Sequence, residues 1–199
     1  FCEKFVAKAS KLKTGNPFNV DGRPNDGNYY GPLINEPAFT KVKLYNDLVL
    51  SNDTTDILLA PVYTGKDNAR FSTPMVYTCE WGNKEFLQKE VFGPHVAIIP
   101  FDTVEEGVNI YNDTEFGLAV GILTNNYRTA RYCRDNCDAG MIYHNGGSIA
   151  AESHLSFGGV KKSGNGFPTA AKMWEAVTHT VSWTVNHGEE LAFPQGMNK

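Results

Sequence analysis

The sequence lacks the features that would assign it to several large classes of protein. Its 199 residues contain no Lys- or Arg-rich run, and 18 basic against 22 acidic residues leave a formal net charge of −4. A nucleic-acid partner is not expected, because gripping a phosphate backbone takes a basic patch. No apolar stretch approaches the roughly 20 residues that a membrane-spanning helix needs, so no membrane is expected either. The chain opens on Phe1 rather than Met and shows no secretory leader; the expectation is a fragment or a processed chain of a cytoplasmic protein. Cysteine is scarce, and Cys2, Cys79, Cys133 and Cys137 match neither a disulfide framework nor a zinc ribbon. Cys133 and Cys137 stand one helical turn apart, but no second ligand pair lies near them in sequence. The expectation is therefore no metal site, and reduced thiols of the kind found in the cytoplasm.

What is present is a globular composition, 41% apolar and 20% charged, at a length that supports one sizeable core. FCEKFVAKASKLK puts Phe1, Phe5, Val6, Ala9 and Leu12 on one helical face, and Gly15-Asn16-Pro17 stops it. Residues 18 to 34 read as a loop. Asn35 is a cap and Pro37 a first-turn residue for a second helix, whose apolar face is Phe39, Val42, Tyr45 and Leu48. DILLAPVY and MVYTCEW read as strands. Beyond them VAIIPF, LAVGILT and MIYHN are apolar strands separated by two helices. The first of these helices opens on a Thr103/Glu106 capping box, and the second ends at Ala139-Gly140, where Gly can cap it. Strand, helix, strand, helix, strand with short loops predicts an α/β fold, a mostly parallel open sheet with helices on both faces. VAIIPF, unbroken by polar residues, predicts a strand covered on both sides.

A Gly- and Ser-rich stretch follows from Gly146 to Pro168, then a short helix, TAAKMWEAV. THTVSWTVNH alternates strictly, with His179, Val181, Trp183 and Val185 on one face, and suits an edge strand that a partner subunit completes. The expected organisation is residues 1–176 as one catalytic-domain portion, 177–187 as an oligomerisation strand and 188–199 as a loose tail.

Candidate chemistry is sparse on residue types alone. FGGVKKSGNG is Gly-rich and basic, but it fits neither phosphate-loop pattern, and a structural turn is the better reading of its glycines, which supply positive φ. Ser148 and Ser163 lack the G-x-S-x-G context. His144, His154, His179 and His187 are scattered, so a Ser/His hydrolase has no group to orient its base. Glu90, two residues before Phe92 and a Gly-Pro turn, is the acid that stands out.

Several stretches taken together resemble the aldehyde dehydrogenase superfamily. KEVFGP carries its E-[IV]-F-G-P motif at Glu90 to Pro94. NDTEFGLA, from Asn112 to Ala119, is similar to N-x-[ST]-x-[FY]-G-L-[AS]. AGMIYHN carries the family's Asn at Asn145. FGGVKKSGNG is similar to FGG-x-K-x-SG-x-G, and LKTGNPFN and GPLI match upstream segments. The motifs occur in family order, from Phe1 to about Gly166.

The resemblance implies the C-terminal part of an NAD(P)-dependent aldehyde dehydrogenase, most of its catalytic domain plus the terminal oligomerisation strand. Such an enzyme oxidises an aldehyde to a carboxylic acid through a thiohemiacetal on a Cys nucleophile. It further implies that Glu90 accepts hydrogen bonds from the ribose next to the nicotinamide and that Phe92 packs beside it. Phe157 would line the aldehyde pocket, Asn145 would support the site, and the chain would form a homo-oligomer through Thr178 to His187. The segments that carry the nucleophile, the Glu base and the Rossmann domain have no counterpart here. None of the four cysteines falls at the nucleophile's place, so no catalytic residue is assigned in this chain and the isolated chain is expected to be inactive. The alternative is a non-catalytic interaction domain that keeps the fold. Ser156, where the family often has Pro, and Phe167-Pro168-Thr169-Ala170-Ala171, which lacks the family's Glu, mark departures in the pocket floor.

Overall fold

The computed structural model describes residues 1–64, 70–149, 152–164 and 166–188. It forms two compact units. One is built from residues 1–115 and 124–138, the other from residues 116–123 and the chain from Ala139 onward. The expected loose tail, from residue 189 on, lies outside the described residues.

The first unit contains α1 (Cys2–Ala9), α2 (Glu36–Leu50), β1 (Thr55–Leu59), β2 (Tyr63–Thr64), β3 (Phe71–Ser72), β4 (Met75–Cys79), α3 (Glu85–Gln88), β5 (His95–Ile98), α4 (Val104–Asn112) and α5 (Tyr127–Asn136). Capping residues start α2 and α4 where the sequence suggests. Asn35 Oδ1 accepts from the Ala38 amide at 2.9 Å and Thr103 Oγ1 from the Glu106 amide at 3.1 Å. The Glu106 carboxylate reaches back to the Asp102 amide at 2.8 Å. Each bond satisfies a donor that a helix start leaves without an intrahelical partner. The side chain of Asn112 joins two elements: its amide donates to Asn136 O at the end of α5 and accepts from the Asp138 amide.

The core of this unit is the face of α2 that carries Val42, Tyr45 and Val49, packed on Met75, Tyr77 and Cys79 of β4 and on Phe86 and Val91. Each fully buried aliphatic or aromatic side chain there contributes about 1.5–3 kcal/mol. The buried face is rotated from the expected one. Phe39 and Leu48 are only half-buried, while Val49 and Asn46, a polar residue, are fully buried. The central strand also differs. β4 lies between antiparallel β1 and parallel β5, and Met75, Val76 and Tyr77 are inaccessible to solvent. β5, the strand of VAIIPF, is half-buried at the edge of that sheet.

The second unit contains β6 (Phe116–Gly117), β7 (Ala119–Ile122), β8 (Met141–His144), β9 (Val160–Lys161) and α6 (Met173–Val177), which continues a 3₁₀ turn over Ala170–Lys172. β7 and β8 pair in parallel, Ala119 opposite Met141 through Ile122 opposite His144. The chain is thus α/β, with parallel pairing at β4–β5 and at β7–β8, in two separate ladders. α5 ends at Asn136, and Cys137 rather than Gly140 is its C-terminal flank. Gly140 has a different reason to be glycine: a Cβ there would stand 2.0 Å from Gly158 O. Because α6 runs to Val177, the segment expected as a strand begins at Thr178. It forms no ladder within the described residues.

Candidate functional site

The residues of interest divide between the units: Glu90 and Phe92 belong to the first, Asn145 and Phe157 to the second. The first pair sits on a short turn fastened at every step. Lys41 Nζ of α2 donates to Glu90 O at 2.6 Å. Val91 turns inward and joins the core. Gly93 lies so close on α2 that a Cβ would meet Val42 Cγ2 at 2.5 Å, so only glycine fits. Pro94 O accepts from the Met75 amide at 2.8 Å, where β5 begins beside β4.

With Val91 pointing in, its neighbours point out. Phe92 is 74% exposed, and the exposed Glu90 carboxylate takes no hydrogen bond or ion pair from the described residues. Phe92 has a φ of 60°. Left-handed backbone at a bulky aromatic residue costs on the order of 1–3 kcal/mol and persists where the surroundings over-determine it. The turn therefore presents a carboxylate and an aromatic ring side by side, on backbone that cannot easily relax.

Beneath it lies a buried polar chain absent from the sequence reading. His95, the first residue of β5, has Nδ1 2.8 Å from Asn46 Oδ1 of α2 and Nε2 3.0 Å from the Tyr77 hydroxyl of β4. The Asn46 amide nitrogen donates to Tyr63 OH at 2.9 Å. With that nitrogen spent, Oδ1 is the acceptor, so His95 carries its proton on Nδ1 and Nε2 accepts from Tyr77. Burial holds the imidazole pKa down to about 4, against an ordinary 6.5, so the ring is neutral near pH 7. The sequence does hold a signal for this chain. A His directly after a Gly-Pro turn, half-buried, and an Asn inside the apolar stripe of α2, fully buried, are polar residues withdrawn from water, which require partners.

In the second unit Asn145 stands just past the carboxyl end of β8. Its amide donates to Ile122 O at 2.8 Å, and its φ of 53° turns the chain into Gly146-Gly147. Ends of parallel strands are where open α/β sheets take ligands. Phe157 forms part of the wall of a cavity of about 250 Å³ together with Tyr143, Glu152, Leu155 and Ser156. Its amide is fixed by Thr169 Oγ1 at 2.8 Å. The glycines of FGGVKKSGNG serve close backbone approach more than positive φ. Cβ atoms at Gly159 and Gly164 would lie 2.6 Å from Ser163 O and 2.2 Å from Gly159 O, while Gly166 has a φ of +106°. Ser163 Oγ accepts from the Gly117 amide at 3.2 Å, a structural use of that hydroxyl.

All four cysteines carry free thiols. Burial pushes the thiols of Cys79 and Cys133 up, and that of Cys137 up to about 11. A nucleophilic thiolate needs the opposite shift. Among the described residues no group of three or more His, Cys, Asp or Glu side chains is arranged to hold a metal. No helix of the described residues is long and apolar enough to cross a membrane.

An α/β chain with a constrained, outward-facing carboxylate–aromatic turn has clear relatives. The model of the aldehyde dehydrogenase family matches residues 1–183, and the chain belongs to that family. It is 32% identical over 170 residues to 4-trimethylaminobutyraldehyde dehydrogenase of Mus musculus, covering 83% of this chain and 33% of that protein. It is 30% identical over 166 residues to sulfoacetaldehyde dehydrogenase of Neptuniibacter caesariensis, covering 83% and 34%. A crystal structure of a putative aldehyde dehydrogenase from Burkholderia cenocepacia superposes with a TM-score of 0.75 at 29% identity, over 85% of this chain and 34% of that one. The chain spans about a third of the length of the curated relatives it matches.

Proposed function

We propose that this chain is part of an NAD(P)-dependent aldehyde dehydrogenase that oxidises an aldehyde to a carboxylic acid through a thiohemiacetal. Its share of the work is to hold the nicotinamide end of the cofactor and one wall of the aldehyde pocket. The observation that carries the reading is the Glu90–Phe92 turn. A carboxylate with no partner among the described residues suits a vicinal diol, which it can accept from twice. The ring two residues on suits a flat apolar face and keeps water from it. When bound, the cofactor supplies the hydride acceptor. Glu90 would bind and orient its ribose, Phe92 would fix the angle of its ring, Phe157 would bound the aldehyde, and Asn145 would hold the loop that follows β8. The nucleophile and its base would come from outside these residues, so the chain alone turns over no aldehyde. Free thiols suit a reducing compartment such as the cytoplasm.

The test is a fluorescence titration of the intact gene product with NADH and NADPH, followed by turnover on a panel of aldehydes. Wild type binds one or both cofactors. Glu90→Gln weakens binding about tenfold, the effect of losing charge-assisted hydrogen bonds. Failure of wild type to bind either cofactor, or equal binding by Glu90→Gln, overturns the reading.

The second reading, a subunit-association module, is favoured by Trp183 at 86% exposure on the same alternating face as the exposed Val181 and Val185. A homo-oligomer through Thr178 to His187 fits both readings. Sedimentation of a protein lacking residues 178–188 measures it, and self-association without cofactor binding selects the second.

A further inference from the structure

We infer that His95 is a positioning residue for the Glu90–Phe92 turn, acting through its buried bonds to Asn46 and Tyr77. The inference rests on the cofactor reading above for its consequence, and on the geometry of the first unit for its substance. Three residues of α2 grip the turn in sequence: Lys41 at Glu90 O, Val42 under Gly93, and Asn46 at the His95 imidazole. Tyr77 of β4 holds the same imidazole from its other nitrogen. The grips lie on both sides of Phe92, the residue in left-handed backbone. Upstream, Lys41 and the burial of Val91 fix the chain. Downstream, His95 is a two-point anchor with fixed donor and acceptor directions.

Among the described residues, the hydrogen-bond partners of His95 carry no charge. Asn46 comes from α2, Tyr77 from β4 and Tyr63 from β2, beyond Asn46, and burial is the one cause that moves its proton affinity. A neutral imidazole with both nitrogens satisfied is a rigid spacer between two elements. A buried polar group of this kind contributes less to overall stability than an apolar residue of equal volume would, but it specifies one register and one orientation. Here the register specified is that of β5 against α2, and therefore the place where the turn must end. Without the anchor, the strained conformation at Phe92 is no longer over-determined and its population falls, so apparent cofactor affinity falls with it.

The experiment is a double-mutant cycle in the intact gene product, with His95→Leu, Phe92→Gly and the pair. One readout is hydrogen exchange over residues 89–98 without cofactor, and the other is the dissociation constant for NADH or NADPH. His95→Leu is expected to accelerate exchange in that segment roughly tenfold and to weaken cofactor binding by a similar factor. His95→Gln, which can still donate to Asn46 and accept from Tyr77, restores most of both. With Gly at position 92 left-handed backbone carries no penalty, so adding His95→Leu should change exchange far less.

Additive effects on exchange overturn the positioning role, as does a His95→Leu protein that binds cofactor like wild type. If wild type binds no nicotinamide cofactor, the function proposed above fails, while the exchange cycle still decides whether His95 sets the conformation of the turn.

Discussion

The turn at Phe92 and the turn at Asn145 both run through left-handed backbone, with φ of 60° and 53°, and they are held in different ways. Asn tolerates this conformation, because its short polar side chain bonds locally. Its amide bond to Ile122 O ties it to the end of β7 across the β7–β8 ladder. Phe does not tolerate it, and the first turn is correspondingly clamped from α2, β4 and the core. The clamped turn carries the more demanding pair of side chains, a carboxylate and a ring that must face outward together. Strain and support occur together because each is stable only in the presence of the other.

The largest effect that would break this contrast is expected from glycine. Gly93→Ala forces a Cβ against Val42 and should lower the opening free energy of residues 89–98 by about 1–3 kcal/mol, measured by hydrogen exchange. Gly146→Ala in the other turn meets, among the described residues, nothing nearer than Tyr143 Cβ at 3.9 Å and should be neutral or stabilising by up to about 1 kcal/mol. Equal losses would mean the two turns are held alike.

Acid should act next, on the first unit. The folded-state pKa of His95 lies below its ordinary value, so protonation favours the open state. Its contribution is fully present above pH 6.5 and is lost as pH falls toward 4. Protection of residues 89–98, corrected for the intrinsic pH dependence of exchange, should fall across that window in wild type and stay flatter in His95→Leu. Smaller still is relief of strain. Phe92→Gly should stabilise its segment by about 1 kcal/mol and weaken cofactor binding, whereas Asn145→Gly should shift its own by only a few tenths. A stabilised Phe92→Gly that still bound cofactor fully would remove the reason for keeping an aromatic residue there.

Much of the architecture was legible from short-range signals. The Asn35 and Thr103 caps act over three residues and are where the pattern places them. β4, β7 and β8 were visible as apolar runs, because burial selects such runs whatever the strand pairs with. Long-range assignments were not legible. Nothing in VAIIPF distinguishes an edge strand from a central one, and the two parallel ladders are joined by helices whose sequences do not say which sheet receives the next strand. Gly140 looked like a helix cap because local sequence cannot show that Gly158 lies against it from eighteen residues away. Of the candidate site residues, Glu90, Phe92, Asn145 and Phe157 were singled out by motif resemblance. His95 and Asn46 were missed because a polar residue reads as exposed until its buried partners are known.

The sequence by itself determined the family, the capped starts of α2 and α4, the parallel sense of the β7–β8 pair and the identity of the motif residues. Each of these is written in residue types over a few neighbouring positions. Only the tertiary structure decided that Val91 points in while Glu90 and Phe92 point out. It alone brought α2 beneath the turn and joined His95 to Asn46 and Tyr77, 49 and 18 residues away. These depend on elements distant in the chain meeting in one place, and the contacts that fix them exist only once the core has closed.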